Sequence, residues 1–252
     1  MGIVEVRGVR IGEGIPKICV SLMGETAEAL REEAVQVKEA GADLAEWRVD
    51  WLSDWEKPEA IQEALKQIRD GLGEVPLLVT FRTKQEGGNA EISQDQYLEL
   101  YRTILDSGNA DLIDLELFFG ENVIRDLIRC AAEKDVKTVL SNHDFEKTPD
   151  LQEILERLKA MEDLGADIAK IAVMPQTAKD VSKFLLATAE SAEQLSCPVI
   201  TMSMGGKGTV TRMAGQIFGS AVTFAALKTA SAPGQVPLNQ LKEVLKLVDS
   251  LQ

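Results

Sequence analysis

The chain is poor in histidine and cysteine. One histidine, His143, stands among 252 residues, and the three cysteines, Cys19, Cys130 and Cys197, are widely spaced with no CxxC pair. Zinc and non-haem iron sites usually need two or more histidines or clustered thiolates, so neither a metal nor a cofactor is expected. An odd set of scattered thiols reads as reduced core residues, which points to the cytoplasm rather than to a disulfide scaffold. No stretch reaches about 18 uncharged apolar residues, so no membrane span is expected. The first residues carry Glu5, Arg7 and Arg10 and lack the apolar segment of a secretory signal. Basic charge is also in deficit, with 27 Lys and Arg against 41 Asp and Glu and a net charge of -14. A nucleic-acid surface needs a positive field, so that class of partner is disfavoured.

What is present is an alternation. Short runs rich in Val, Ile, Leu and Ala cover 17–23, 43–49, 76–82, 110–117, 136–142, 166–174, 197–204 and 220–227. Such runs suit strands covered on both faces. Between them lie amphipathic stretches punctuated as helices over 26–40, 58–70, 93–105, 121–134, 150–164, 177–194, 209–218 and 238–251. Pro58 stands near a first turn, Ser93 and Gln96 have the spacing of a capping box, and Gly41, Gly71 and Gly165 follow helix ends. Eight β–α units in a chain of this length imply a single (β/α)8 barrel domain over 1–252. Val4-Glu5-Val6-Arg7 and Val9-Arg10-Ile11 flank Gly8 and read as a β-hairpin within 1–13, expected to close the bottom of the barrel.

Reactive groups in such a barrel project from the C-terminal ends of the strands. Glu46, Arg48 and Asp50 share one face of the second strand by period two. The third ends in Phe81-Arg82-Thr83, shortly before Glu86-Gly87-Gly88, and the fourth carries Asp114 and Glu116. The fifth ends at His143, and the sixth holds Lys170 in the middle of its apolar run. Each residue has two readings. Lys170 is either an amine nucleophile toward a carbonyl or the partner of an inward carboxylate such as Asp114 or Glu116, which is a costly way to hold a core together. His143 is either a satisfied structural residue or a proton shuttle working near neutral pH. Glu46 and Arg48 can form a structural ion pair, Arg82 and Glu86 can be loop-surface charges, and Met202 and Met204 can be core fillers. The glycines of 205–208 offer a weak phosphate-cradle signal, and Arg212 beyond them a sharper one for a carboxylate or phosphate. Loop 228–235 is either a plain connection or a lid carrying Ser231 and Gln235. The lone imidazole and the inward amine together suggest imine chemistry with a histidine shuttle.

Six motifs sharpen this. Glu46-Trp47-Arg48-Val49-Asp50, Phe81-Arg82-Thr83 with Glu86-Gly87-Gly88, Ser141-Asn142-His143-Asp144-Phe145, Ala169-Lys170-Ile171-Ala172, Met204-Gly205 with Arg212, and Ser231-Ala232-Pro233-Gly234-Gln235 occur in order over essentially the whole chain. They closely resemble the type I 3-dehydroquinate dehydratases. The resemblance implies a carbon–oxygen lyase of the shikimate pathway, on the route to chorismate and the aromatic amino acids, that converts 3-dehydroquinate to 3-dehydroshikimate. It implies that Lys170 forms a Schiff base with the substrate ketone. His143 would serve as base and then acid in a syn elimination, oriented by Glu86, and Arg212 would bind the substrate carboxylate. Ser21, Glu46, Arg48, Arg82, Ser231 and Gln235 would hold hydroxyls and close the lid, and Met202, Met204 and Phe224 would form an apolar wall. A stand-alone homodimer acting on a small molecule, without nucleic-acid or membrane partners, is also implied. Two rivals remain. A class I aldolase or transaldolase-type barrel shares the imine-forming lysine but needs a phosphate site, and a non-catalytic sensor of hydroxy-acids would not need Lys170, His143 and Glu86 together.

Overall fold

The computed structural model describes residues 2–228 and 230–251; position 229, inside the expected lid, and the two terminal residues lie outside it. Strands β1 (Val4–Val6) and β2 (Val9–Ile11) form an antiparallel hairpin with Val4 opposite Ile11. Strand and helix then alternate as β3 (Lys17–Leu22), α1 (Ala27–Glu39), β4 (Leu44–Arg48), α2 (Pro58–Leu72), β5 (Leu77–Thr80) and α3 (Gln94–Asp106). Next come β6 (Leu112–Glu116), α4 (Glu121–Glu133), β7 (Lys137–Asp144), α5 (Leu151–Asp163), β8 (Ile168–Val173) and α6 (Ala178–Gln194). The chain finishes with β9 (Val199–Ser203), α7 (Gly205–Met213), α8 (Gly215–Phe218), β10 (Val222–Ala226), β11 (Val236–Pro237) and α9 (Leu238–Asp249). Every expected apolar run contains a strand, and the fold belongs to the (β/α)8 class with a hairpin ahead of it.

Strands β4, β5, β6 and β9 are buried at every residue, as parallel strands covered on both faces must be. Helix starts follow local chemistry. Ser93 with Gln96 and Thr177 with Asp180 both form capping boxes, so orphan N–H groups are satisfied within a few residues of sequence. Two helices depart from the pattern. Helix α2 does not stop at Gly71, because the missing side chain there admits α1: a Cβ would stand 2.8 Å from the Ala34 methyl. It stops at Gly73, where φ is +58°. The single helix expected over 209–218 is two, α7 starting earlier at Gly205 and breaking at Ala214 before α8.

Two compact units are distinguishable, Ser21–Val139 and the residues on either side of it. In the first, β4, β5 and β6 pair in parallel, with Glu46 opposite Leu78 and Thr80 opposite Asp114. In the second, β8 pairs with β9, placing Lys170 opposite Ile200, and residues 17–20 of β3 pair with β10. A bridge between Val199 and Ser220, with Ala221 donating its N–H to Val199 at 2.8 Å, joins β9 to the approach of β10. The hairpin belongs to this second unit. Its Val6 and Ile11 are buried, and Gly12 lies against Pro198 just ahead of β9, at the end opposite the strand C-termini. Among the described residues, no helix is long and apolar enough to cross a membrane.

Candidate active site

In the unit that holds β8, alternation puts Ile168, Lys170 and Ala172 on one face. Lys170 is 3% exposed, and its Nζ lies 4.9 Å from the centroid of the Phe224 ring on β10. An aromatic face at that distance would stabilise a positive charge developing on the nitrogen. Met202 on β9 and Met204 just past it are buried as well. His143 is half-buried near the end of β7, which runs past the apolar pattern to Asp144. It therefore sits on the strand itself rather than in the loop beyond it.

Arg212, near the end of α7, is 1% exposed. Its Nη1 lies 3.8 Å from the Met202 sulfur, its Nη2 donates to the Pro233 carbonyl at 3.2 Å, and its Nε has no partner. Burial alone lowers its pKa to about 10, so it stays cationic at neutral pH. Among the described residues no carboxylate neutralises it. A buried cation with an unpartnered N–H is a receptor for an anion. Helix α7 is seated by polar contacts: the Ser203 N–H donates to the Thr211 hydroxyl at 2.9 Å, and the Thr223 hydroxyl donates to the Arg212 carbonyl at 2.9 Å. Gly208 is part of that seat, because a Cβ there would stand 2.1 Å from the Ser203 carbonyl oxygen. The glycines read as a possible phosphate cradle lie in the first turn of α7, and packing explains Gly208.

Within the expected lid, residues 231–235 close on one another and on α7. The Ser231 N–H donates to Gln235 Oε1 and Gln235 Nε2 donates to the Ser231 hydroxyl, each at 2.9 Å. The Gly205 N–H donates to the Pro233 carbonyl at 3.1 Å. Gly234, with φ of +79°, passes so close that a Cβ would lie 2.4 Å from the Gly205 carbonyl oxygen. Both expected lid residues are thus in one clasp, tied through Pro233 to Arg212.

The unit Ser21–Val139 carries the remaining candidates. Glu46 accepts from the Ser21 hydroxyl at 2.7 Å and from the Thr80 hydroxyl at 3.0 Å. Arg48 does not form the possible ion pair with Glu46. It grips Asp50 with two bonds, Nε to Oδ1 at 2.8 Å and Nη2 to Oδ2 at 2.7 Å. Asp50 also accepts from the N–H groups of Arg82 and Asn89, which makes it a buried hub. It lies in the 3-10 turn Val49–Trp51 that follows β4, not on the strand face expected for it with Glu46 and Arg48. Arg82 is not a surface charge: its Nη2 donates to Asp114 at 2.7 Å, and its Nη1 to Glu116 at 2.9 Å and Glu86 at 3.4 Å. Burial works against its charge, but Asp114, Glu116, Glu86 and Glu46 outweigh that and hold its pKa well above the usual value. Asp114 and Glu116, read as possible partners of Lys170, are engaged by Arg82. Glu86 closes a short 3-10 turn and is buried. Tyr101 braces this group, its hydroxyl donating to the Asp114 carbonyl and accepting from the Phe81 N–H.

Comparison with known proteins places these residues in context. The family model described as type I 3-dehydroquinase matches residues 18–252. The 3-dehydroquinate dehydratase of Listeria welshimeri is 49% identical over 248 residues, covering 98% of each chain. That of Clostridium kluyveri is 47% identical over 250 residues, also 98% of each. Among solved structures, the type I enzyme of Clostridium difficile, described with covalently modified comenic acid, superposes with a TM-score of 0.97 at 46% identity over 100% of both chains. The enzyme of Geobacillus kaustophilus gives 0.96 at 39% identity, covering 98% of this chain and 96% of its own.

Proposed function

The chain belongs to the type I 3-dehydroquinase family and dehydrates 3-dehydroquinate in the shikimate pathway, and we propose that it does so through an imine on Lys170. Lys170 Nζ adds to the substrate ketone and water leaves, giving an iminium whose positive charge lies beside the Phe224 ring. His143 takes a proton from the adjacent carbon, and the electron pair moves toward the nitrogen to form an enamine. The enamine expels the neighbouring hydroxyl, which takes the proton back from His143 and leaves as water. A further water hydrolyses the conjugated iminium, freeing 3-dehydroshikimate and the amine. One imidazole can serve both transfers because its proton affinity lies near neutral pH.

The observation that carries this reading is the buried amine on β8 against an aromatic face. The covalent ligand described for the Clostridium difficile relative accords with a nucleophile of this kind. Arg212 is assigned the substrate carboxylate, because it is a buried cation without a counter-ion among the described residues. Glu86 is assigned the third catalytic place on its family motif, with its carboxylate held by Arg82. Ser21, Glu46, Arg48, Arg82, Ser231 and Gln235 are assigned to the hydroxyls and the lid, and Met202, Met204 and Phe224 to the apolar wall. Within this proposal Arg82 acts mainly by orienting carboxylates, since three already engage it. A cytoplasmic homodimer is proposed on the same family footing, and a monomeric mass in solution at assay concentration would remove that part.

Borohydride added together with 3-dehydroquinate should fix a reduced adduct on Lys170, read by peptide mass mapping. An adduct elsewhere, or none while turnover proceeds, would overturn the imine mechanism.

A further inference from the structure

Two faces of β7 are held in different ways near its end. By strand alternation His143 and Asn142 project to opposite sides, and Asn142, which is buried, turns toward α5. There Arg157 donates from Nη1 to Asn142 Oδ1 at 2.6 Å, and from Nη2 to the Glu153 carboxylate one turn earlier on the helix. The side chain of Arg157 is only 17% exposed. The ordinary filling between α5 and the strands is apolar and is already supplied by Ile154, Leu158 and Met161. A guanidinium in that layer loses hydration and rotamer freedom that packing did not require. What it provides is a directional, charge-assisted bond to the residue immediately before His143.

The chain beyond His143 is tied to the strand that carries Lys170. Asp144 Oδ1 accepts from the N–H groups of Glu146 and Lys147 at 3.0 and 2.9 Å, closing a tight turn. The Met174 N–H donates to the Lys147 carbonyl at 3.2 Å, the Thr148 hydroxyl to the Met174 carbonyl at 3.2 Å, and Gln176 Nε2 to the Glu146 carbonyl at 2.7 Å. The loops after β7 and β8 therefore form one bonded layer, and the Arg157–Asn142 bond secures its β7 side from the helix shell. Proton abstraction demands that the base lie within hydrogen-bond reach of one particular proton, a tolerance of tenths of an ångström.

We propose that Arg157, acting through Asn142, is a positioning residue for His143. It fixes the end of β7 so that the imidazole meets the substrate proton once the imine has formed. The inference rests on the roles given above to His143 and Lys170, and the experiment separates the two levels. Steady-state kinetics, borohydride trapping on Lys170 and thermal melting are measured for Arg157→Met, Arg157→Lys, Asn142→Ala, the Arg157→Met/Asn142→Ala double variant and His143→Ala. Arg157→Met and Asn142→Ala should each lower kcat about tenfold to a hundredfold with KM little changed, the scale of a misplaced catalytic group. Both should still trap imine on Lys170 as well as the parent does. The double variant should be no slower than the slower single, and Arg157→Lys should recover part of the loss. Folded Arg157→Met and Asn142→Ala with parental kcat would overturn the inference, as would kcat and trapped imine falling in proportion. If Arg157→Met does not fold, Asn142→Ala, which leaves Arg157 its bond to Glu153, decides alone. Parental turnover in His143→Ala would instead overturn the acid–base assignment on which the inference rests.

Discussion

Arg212 is buried, cationic at neutral pH and without a carboxylate partner among the described residues. A charge withdrawn from water without a counter-charge costs folding free energy. The same deficit is what a substrate carboxylate would fill, so binding strength and local instability have one origin. Arg212→Met keeps the length of the side chain and removes the charge. It is expected to raise the melting temperature of the ligand-free protein and to raise KM for 3-dehydroquinate at least about tenfold, roughly 1.4 kcal/mol of lost binding. Saturating substrate or product should then stabilise the parent protein and leave the variant almost unmoved. Thermal melts with and without ligand, alongside steady-state kinetics, check both halves. A variant that melts lower and keeps its KM would make Arg212 a packing residue.

At the scale of elements, the end of α5 offers a titration with a defined sign. The Ser196 N–H and hydroxyl both donate to Glu162 Oε1 at 2.6 Å, and Lys159 pairs with the other oxygen at 3.0 Å. The Ser196 hydroxyl is the largest cause of a pKa lowered to about 2. An unfolded glutamate titrates near about 4.3. The stabilisation is therefore complete above that value and is lost as pH falls from there through about 2. Glu162→Gln should melt below the parent at pH 6, and the two melting curves should converge as pH approaches about 2. Curves that stay parallel from pH 6 to pH 2 would refute a role for this carboxylate in acid stability. Contacts of this kind mark the limit of what a sequence discloses. The strands are legible because apolar runs buried on both faces alternate with capped amphipathic stretches. Lys170 is legible because a charge within an apolar run is conspicuous, and Arg212 because a guanidinium just beyond a Gly-rich turn suits an anion. The partners are not. Arg82 reaches Asp114 and Glu116 across 32 and 34 residues, a separation that leaves no local periodicity. Arg48 grips Asp50 and not Glu46: the strand ends at Arg48 and a 3-10 turn over Val49–Trp51 carries Asp50, a break that period two does not foretell. Gly208 looks like part of a phosphate loop until Ser203 is seen against it. Strand β7 runs on past its apolar run through His143 to Asp144, because backbone pairing does not depend on side-chain polarity.

The whole molecule sets a field against its own substrate. Acidic residues outnumber basic ones 41 to 27, the net charge is -14, and 3-dehydroquinate carries a carboxylate. Near the surface, fourteen charges acting through water on one anion amount to about 1 kcal/mol at low salt, where the screening length is about 30 Å. At about 0.15 M salt the screening length falls to about 8 Å and most of that repulsion disappears. The attraction of Arg212 acts at short range from a buried side chain, where mobile ions screen little. Global repulsion and local attraction therefore respond unequally to salt, and the repulsion weakens first. The expected outcome is that kcat/KM rises about twofold to fivefold between 0.01 and 0.15 M sodium chloride, through KM rather than kcat. Above that range it should level off, because the long-range part is already screened. Kinetics at fixed pH across this salt series decide the matter. A kcat/KM that falls steadily with salt would mean that the arginines draw the anion in from beyond the acidic surface, and that net charge does not govern its approach.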